Sequence, residues 1–150
     1  MKELINKFYT AFNELDAETM SSCYHDEVVF DDPAFGELKG ESARNMWRML
    51  CQSQKGKDFK VKHSEVTNNS AYWEAFYTFS KTGRKVHNKI HANFEFKDGL
   101  IIRHSDNFDL HKWASQAMGL SGLLIGWSGF FQKKLQKQTN RLLHKFEQKH

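Results

Sequence analysis

The sequence predicts a single α+β domain in which helices come first and a curved antiparallel sheet follows. In the first fifty positions, apolar residues recur at the three- and four-residue spacing of amphipathic helices. From about residue 59 to residue 108 the pattern changes to alternation, which is the period of half-buried strands. Short polar turns separate these alternating segments, so we expect neighbouring strands to be antiparallel. With 150 residues the chain is long enough to bury a sizeable core.

The elements follow from this pattern in order. Two helices are predicted at residues 2–14 and 17–23, with Asp16 as the N-cap of the second. A short strand, a turn through Phe35 and Gly36, and a third helix come next. The strands of the sheet are then expected at residues 59–63, 71–80, 85–96 and 100–108. From Asp109 the pattern is helical again, and an apolar glycine-rich stretch leads to a basic final helix.

Charge and composition exclude several classes of function. The net charge is +4, but residues 132–150 alone carry six Lys or Arg against Glu147, so the remaining chain is close to neutral. A neutral body argues against nucleic-acid binding. Cys23 and Cys51 have no metal-type spacing, and we predict neither a metal nor a cofactor. The N-terminus lacks an apolar signal core and residues 117–131 are too short to span a bilayer, so a cytoplasmic protein is expected.

The stretch HDEVVFDDPAFGELKG contains the strongest candidate for a functional residue. Pro33, the only proline, favours an extended conformation at Asp32 and places this acid at a strand end. Alternation puts Asp32 on the same face as Val28 and Phe30, whereas Asp31 points to the other face. Asp32 is therefore either a surface residue at a strand end or an acid that faces a pocket.

Further polar residues fall on faces that are otherwise apolar. Asn88 interrupts the inner face of residues 85–96, and His104 and Asp106 share a face with Leu100, Ile102 and Phe108. A single residue of this kind is commonly a satisfied core group, and His104 and Asp106 could simply bond to each other. Several in one small domain need partners or water, which a ligand pocket supplies.

The segments FYTAFNELDAETMSSCYHDEVVFDDPAFGELKG and TGRKVHNKIHANFEF resemble the ketosteroid isomerase, NTF2-like and SnoaL-like superfamily, over about residues 3–112. Small SnoaL-like proteins are the most similar. The resemblance implies a cone-shaped fold in which a bent sheet and three N-terminal helices enclose a deep pocket. It also implies a homodimer formed through the outer face of the sheet. Residues 1–112 would form this domain, and residues 113–150 would be a helical extension.

The resemblance also implies roles for individual residues. Asp32 of the Asp-Pro motif occupies the position of the general base of steroid isomerases. The oxyanion-hole tyrosine of those enzymes falls on Phe8, with Tyr9 one residue off and turned away, and their second aspartate falls on Ala92. A steroid-isomerase mechanism is therefore not supported, because each missing donor costs about 10²–10³ in rate.

SnoaL-type cyclases are similar in another respect, since they pair a late-strand aspartate with a histidine. His104 and Asp106 resemble that arrangement, so the predicted catalytic residues are Asp32, His104 and Asp106. An apolar or polycyclic carbonyl ligand is expected to contact a set of mainly aromatic side chains: Trp47, Trp73, Tyr77, Phe79, Asn88 and Phe94.

The extension after residue 112 leaves three functional hypotheses open. Its apolar run GLSGLLIGWSGFF is expected to cover the mouth of the cone or a partner, and its basic final helix to pack, dimerise or bind an anionic membrane surface. The first hypothesis is an isomerase-, cyclase- or hydratase-like acid–base enzyme. The second is a non-catalytic ligand-binding or dimerisation module, and the third is a membrane-surface protein. The fold alone does not choose between them.

Overall fold

The computed structural model describes all 150 residues and contains six helices and six strands, so the predicted α+β class is confirmed. Asp16 caps the second helix through the backbone N–H of Thr19, as predicted. The helices are α1 Lys2–Asn13, α2 Ala17–Ser22, α3 Glu41–Gln54, α4 Leu110–Met118, α5 Leu120–Ile125 and α6 Gly129–Lys149. The strands are β1 Tyr24–Asp32, β2 Gly36–Lys39, β3 Lys60–Ser64, β4 Ser70–Phe79, β5 Arg84–Lys97 and β6 Leu100–Asn107.

The six strands form one curved, unclosed sheet in the order β2-β1-β6-β5-β4-β3. The pairs from β3 to β6 and the hairpin of β1 with β2 are antiparallel, but β1 and β6 are parallel. The strands predicted within residues 59–108 therefore pair antiparallel with their neighbours, as expected, and the one parallel pair joins β6 to β1. A long connection through α3 and four strands separates β1 from β6, and such a connection allows parallel pairing.

Strand β2 is an element that sequence reasoning missed. Beyond the expected turn, Leu38 pairs with Phe30 and is buried. Gly36, at φ +76°, takes the left-handed conformation that this turn requires. Four residues of alternation are too few to be recognised as a strand without the partner that they pair with.

The inner and outer faces of β5 lie as the alternation predicts, with Ile90, Ala92 and Phe94 buried on the inner face. In β6 the pattern differs. Ile101 is fully buried, whereas Ile102, which was expected on the inner face, is only partly buried. A bulge in the pairing with β5 lies at this point and shifts the alternation by one residue.

The helices cover the concave side of the sheet. Phe8 and Phe12 of α1 pack edge-to-face against Trp47 of α3, and these rings lie in the main core. A second, smaller core joins Val86 of the sheet to α4 and to Phe131 of α6. Helix α6 continues along α3. None of the helices combines the length and apolar character that crossing a membrane requires.

Candidate active site

A cavity of about 690 Å³ opens between the concave face of the sheet, α3 and the C-terminal helices. Its walls are mainly apolar and aromatic, which is typical of sites for small organic ligands. Four strands of the sheet contribute polar side chains to the wall: Asp32 of β1, Tyr77 and Thr78 of β4, Asn88 of β5 and Asp106 of β6.

Asp32 lies at the end of β1 where the chain turns into Pro33. Its Oδ1 atom accepts hydrogen bonds from the backbone N–H groups of Ala34 at 2.9 Å and Phe35 at 2.6 Å, while Oδ2 makes none with the protein. Burial raises the pKa of Asp32 to about 7; the hydrogen bond from Phe35 opposes this rise and the negative charge of Asp106 adds to it. The side chain is therefore held in place with one oxygen uncommitted.

Helix α6 holds the turn that positions Asp32. The N–H groups of this turn bond to Asp32, and its carbonyl groups accept hydrogen bonds from side chains on successive turns of α6. The donors lie about one hundred residues away in sequence, within the C-terminal extension. The pairs are Gln136 Nε2 to Pro33 O at 3.1 Å, Thr139 Oγ1 to Ala34 O at 2.8 Å, and Asn140 Nδ2 to Phe35 O at 2.8 Å.

Asp106 is held by a chain of buried hydrogen bonds. Nε2 of His104 and Nε1 of Trp73 lie 2.9 Å and 3.3 Å from its Oδ1 atom. On the far side, Nδ1 of His104 lies 2.8 Å from the hydroxyl of Tyr24, which accepts a hydrogen bond of 2.8 Å from Trp47 Nε1. Oδ2 of Asp106 makes no hydrogen bond with the protein, so it remains available to a ligand.

These hydrogen bonds determine which ring nitrogen of His104 carries the proton. An indole N–H can only donate, so the Tyr24 oxygen accepts from Trp47 and its own proton needs an acceptor. Burial raises the pKa of Tyr24 well above its ordinary value, so the hydroxyl keeps this proton. Its one acceptor is Nδ1 of His104, which leaves the proton of the imidazole on Nε2, donating to Asp106.

Tyr77 and Asn88 offer donors to the cavity. The Tyr77 oxygen accepts a hydrogen bond from Trp113 Nε1 at 2.7 Å, and its own O–H has no acceptor in the protein. Burial raises the pKa of Tyr77, so this hydroxyl stays protonated. The side-chain amide of Asn88 also makes no hydrogen bond with the protein. Both groups can therefore donate to an oxygen of a bound ligand.

Seven of the nine side chains singled out from the sequence lie on the cavity wall, and two lie behind it. His104 is fully buried behind Asp106, and Phe94 packs against the His104 ring in a tilted arrangement with 4.5 Å between ring centroids. Those on the wall are Asp32, Asp106, Trp47, Trp73, Tyr77, Phe79 and Asn88. No group of three or more His, Cys, Asp or Glu side chains is arranged to hold a metal ion.

The structure also locates the two positions that lack a steroid-isomerase donor. Ala92 is the direct cross-strand neighbour of Asp106, so a carboxylate stands opposite that position, on the next strand. Phe8 and Tyr9 are both fully buried, and Tyr9 packs against Trp73. The hydroxyl of Tyr9 makes no hydrogen bond and Tyr9 does not line the cavity, so it does not replace the donor that is missing at Phe8.

Sequence reasoning missed Tyr24 and the polar side chains of α6. Tyr24 has the same parity as Val28, Phe30 and Asp32, so extending the alternation backwards could have revealed it. No sequence pattern distinguishes the α6 donors, because Gln, Thr and Asn on an amphipathic helix are also typical of its solvent-exposed face.

Comparison with known proteins identifies the family to which this chain is similar. A family model described as the SnoaL-like domain matches residues 5–104. No curated protein gives a significant sequence match. A candidate polyketide cyclase from Pseudomonas putida KT2440 has a similar structure, with 18% identity, a TM-score of 0.58, and coverage of 77% of this chain and 96% of that chain.

Two further solved structures share the fold. An LEH-like epoxide hydrolase from M. tuberculosis is 21% identical, with a TM-score of 0.54 and coverage of 83% of this chain and 89% of that chain. A protein with a ketosteroid isomerase-like fold from Catenulispora acidiphila DSM 44928, in complex with trimethylamine, is 13% identical, with a TM-score of 0.56 and coverage of 77% and 92%. These identities establish the fold alone. Because the family model spans most of the chain, including β1 and most of β6, the protein belongs to the SnoaL-like domain family.

Proposed function

We propose that the protein is a small-molecule enzyme that moves a proton on an apolar carbonyl compound, with Asp32 as the general base. The observation that supports this most is the state of Asp32: it lies on the wall of a mainly apolar cavity, its Oδ2 is uncommitted, and its pKa is raised to about 7. A base with a pKa near neutrality is suited to accept and return a proton in the same turnover.

The other polar groups of the cavity wall would bind the ligand oxygens and orient the acids. Tyr77 and Asn88 are donors for the carbonyl oxygen, whose negative charge grows when the α-proton leaves. Asp106 presents Oδ2 to the ligand and can accept a hydrogen bond from a hydroxyl or enol. His104 has no access to the cavity and therefore acts as a positioning residue that orients Asp106.

The cavity indicates the chemical class of the ligand. A volume of about 690 Å³ lies in the usual range for sites that bind drug-sized molecules. Trp47, Trp73 and Phe79 supply flat apolar surface, which suits a cyclic or polycyclic carbonyl compound. The names of structural neighbours, which include a candidate polyketide cyclase and a protein of ketosteroid isomerase-like fold, support the same class.

The test is exchange of α-protons for deuterium in a panel of apolar cyclic ketones, followed by NMR in D₂O. We expect the native protein to catalyse exchange and Asp32→Asn to lower the rate by about 100-fold or more. Asp31→Asn is the matched control, because Asp31 is adjacent but bonds to Ser105 and Arg103 on the other face. Equal rates for the native protein and Asp32→Asn would refute the role of Asp32.

A non-catalytic ligand-binding module is the second candidate function. It is favoured by Phe8 and Ala92, which stand where steroid isomerases have their oxyanion donors. In that case ketones would quench the fluorescence of Trp47 and Trp73 on binding without any exchange of their α-protons. Binding with exchange supports the enzyme instead.

A further inference from the structure

The segment from α5 to the start of α6 exposes a group of large apolar side chains. These side chains are between 52% and 77% exposed, although soluble surfaces rarely carry such a contiguous group. We call this group the α5 patch. Its members are Leu120, Leu123, Leu124, Ile125, Trp127 and Phe130.

Close packing of α5 against α4 fixes the orientation of α5, so that the side chains of the α5 patch point outward. Gly122 and Gly126 are buried against α4, and a Cβ atom at Gly122 would lie 1.9 Å from the carbonyl oxygen of Ala114. A Cβ atom at Gly126 would lie 2.7 Å from the Cβ atom of Ala114. The small residues therefore face the protein and the large apolar residues face outward, which is the reverse of an ordinary surface helix.

The charges along the segment that carries the α5 patch have a single sign. Residues 110–146 contain six Lys or Arg and no Asp or Glu, and none of the six takes part in an ion pair. Lys133, Lys134 and Lys137 are exposed on the first turns of α6, close in sequence to Phe130. Apolar side chains next to unpaired cations match the interface of an anionic bilayer.

We propose that the α5 patch docks on an anionic lipid surface, with Trp127 and Phe130 in the interface and Lys133 and Lys137 against the headgroups. A second copy is a poorer occupant, because two such faces would bring their cations together with no carboxylate between them. The proposal concerns this surface and does not depend on the chemistry of Asp32.

Docking in this orientation would also place the cavity beside the lipid. Ile125 belongs both to the α5 patch and to the cavity wall, and Leu142 and Lys134 of α6 line the same wall. An apolar compound dissolved in the bilayer would then reach the cavity without crossing much water.

Co-sedimentation of the full chain with vesicles tests the proposal. We expect binding to vesicles of equimolar phosphatidylcholine and phosphatidylglycerol, weaker binding to pure phosphatidylcholine, and a loss of affinity as salt is raised. Lys133→Gln with Lys137→Gln should weaken binding about 25-fold, because each cation near an anionic leaflet is worth about fivefold in affinity. Trp127→Ser with Phe130→Ser should weaken binding by at least about tenfold.

Matched variants separate docking from loss of folding and from self-association. Lys57→Gln with Lys60→Gln removes two exposed cations elsewhere and should leave vesicle binding unchanged. All of these positions are exposed, so the thermal unfolding of every variant should match that of the native chain. Vesicle binding that the patch variants do not reduce would overturn the proposal. So would a dimer in size-exclusion chromatography with light scattering that Trp127→Ser with Phe130→Ser converts to a monomer.

Discussion

The Nε2 atom of His104 lies 2.9 Å from Oδ1 of Asp106, and both side chains are almost completely buried. This bond ends a chain that begins at Trp47 and passes through Tyr24. The bond occupies Oδ1 of Asp106 and leaves Oδ2 free to face the cavity. His104, which has no access to the ligand, therefore fixes the orientation of the Asp106 carboxylate.

Removing His104 should destabilise the protein. His104→Leu leaves the Tyr24 hydroxyl without an acceptor and Asp106 with one donor fewer, and each such buried group costs about 1–3 kcal/mol. We expect the free energy of unfolding in urea to fall by about 2–5 kcal/mol.

A double-mutant cycle provides the control. Tyr24→Phe in the His104→Leu background should cost less than Tyr24→Phe alone, because the hydroxyl has already lost its acceptor. Additive losses would contradict the hydrogen-bond chain.

The raised pKa of Asp32 should make stability depend on pH. The carboxyl binds its proton more tightly in the folded state, with a pKa of about 7, than in the unfolded state, near 3.8. Stability is therefore highest below the unfolded pKa and falls as pH rises from about 4 to about 7. Urea unfolding across this range should show the slope in the native protein and in Asp31→Asn, and a flatter profile in Asp32→Asn.

The hydrogen bonds from α6 should keep the pKa of Asp32 high. Thr139→Val with Asn140→Ala frees the carbonyl groups of Ala34 and Phe35, so the turn loosens and water reaches the carboxyl. Weaker N–H bonds from Ala34 and Phe35 would by themselves raise the pKa of Asp32, but burial is the largest cause of its shift, so water entry dominates. We expect this pKa, followed by ¹³C NMR of the carboxyl carbon, to fall toward its ordinary value.

Arg141→Ala, at an exposed position on the same helix, should leave this titration unchanged. An unchanged titration in the double variant would show that α6 covers the cavity without positioning Asp32.

Tyr77 should contribute to catalysis as a donor to the carbonyl oxygen of the ligand. Tyr77→Phe removes the O–H but keeps the ring, so we expect the rate of α-proton exchange to fall by about 10²–10³ while ketone binding changes little. Tyr72→Phe is the control, because Tyr72 packs against His91 on the outer face of the sheet. Similar exchange rates in the two variants would exclude this role.

The sequence predicts much of the scaffold because local rules determine it. Pro33 places Asp32 at a strand end, the alternation of β5 separates its inner face from its outer face, and Asp16 marks the start of α2. Each of these depends on backbone conformation or side-chain parity within a few residues. The segment that contains Asp32 and Pro33, together with residues 82–96, was also enough to identify the family.

Only the tertiary structure brings the parts of the site together. The parallel pairing of β1 with β6 sets Asp31 opposite Ser105 and so places Asp32 and Asp106 on one cavity wall. The bulge at Ile102 puts Ile101 instead of Ile102 on the inner face beside His104 and Asp106, and α6 bonds to a turn about one hundred residues earlier. Such contacts depend on strand register and packing between distant segments, which residue periodicity does not encode.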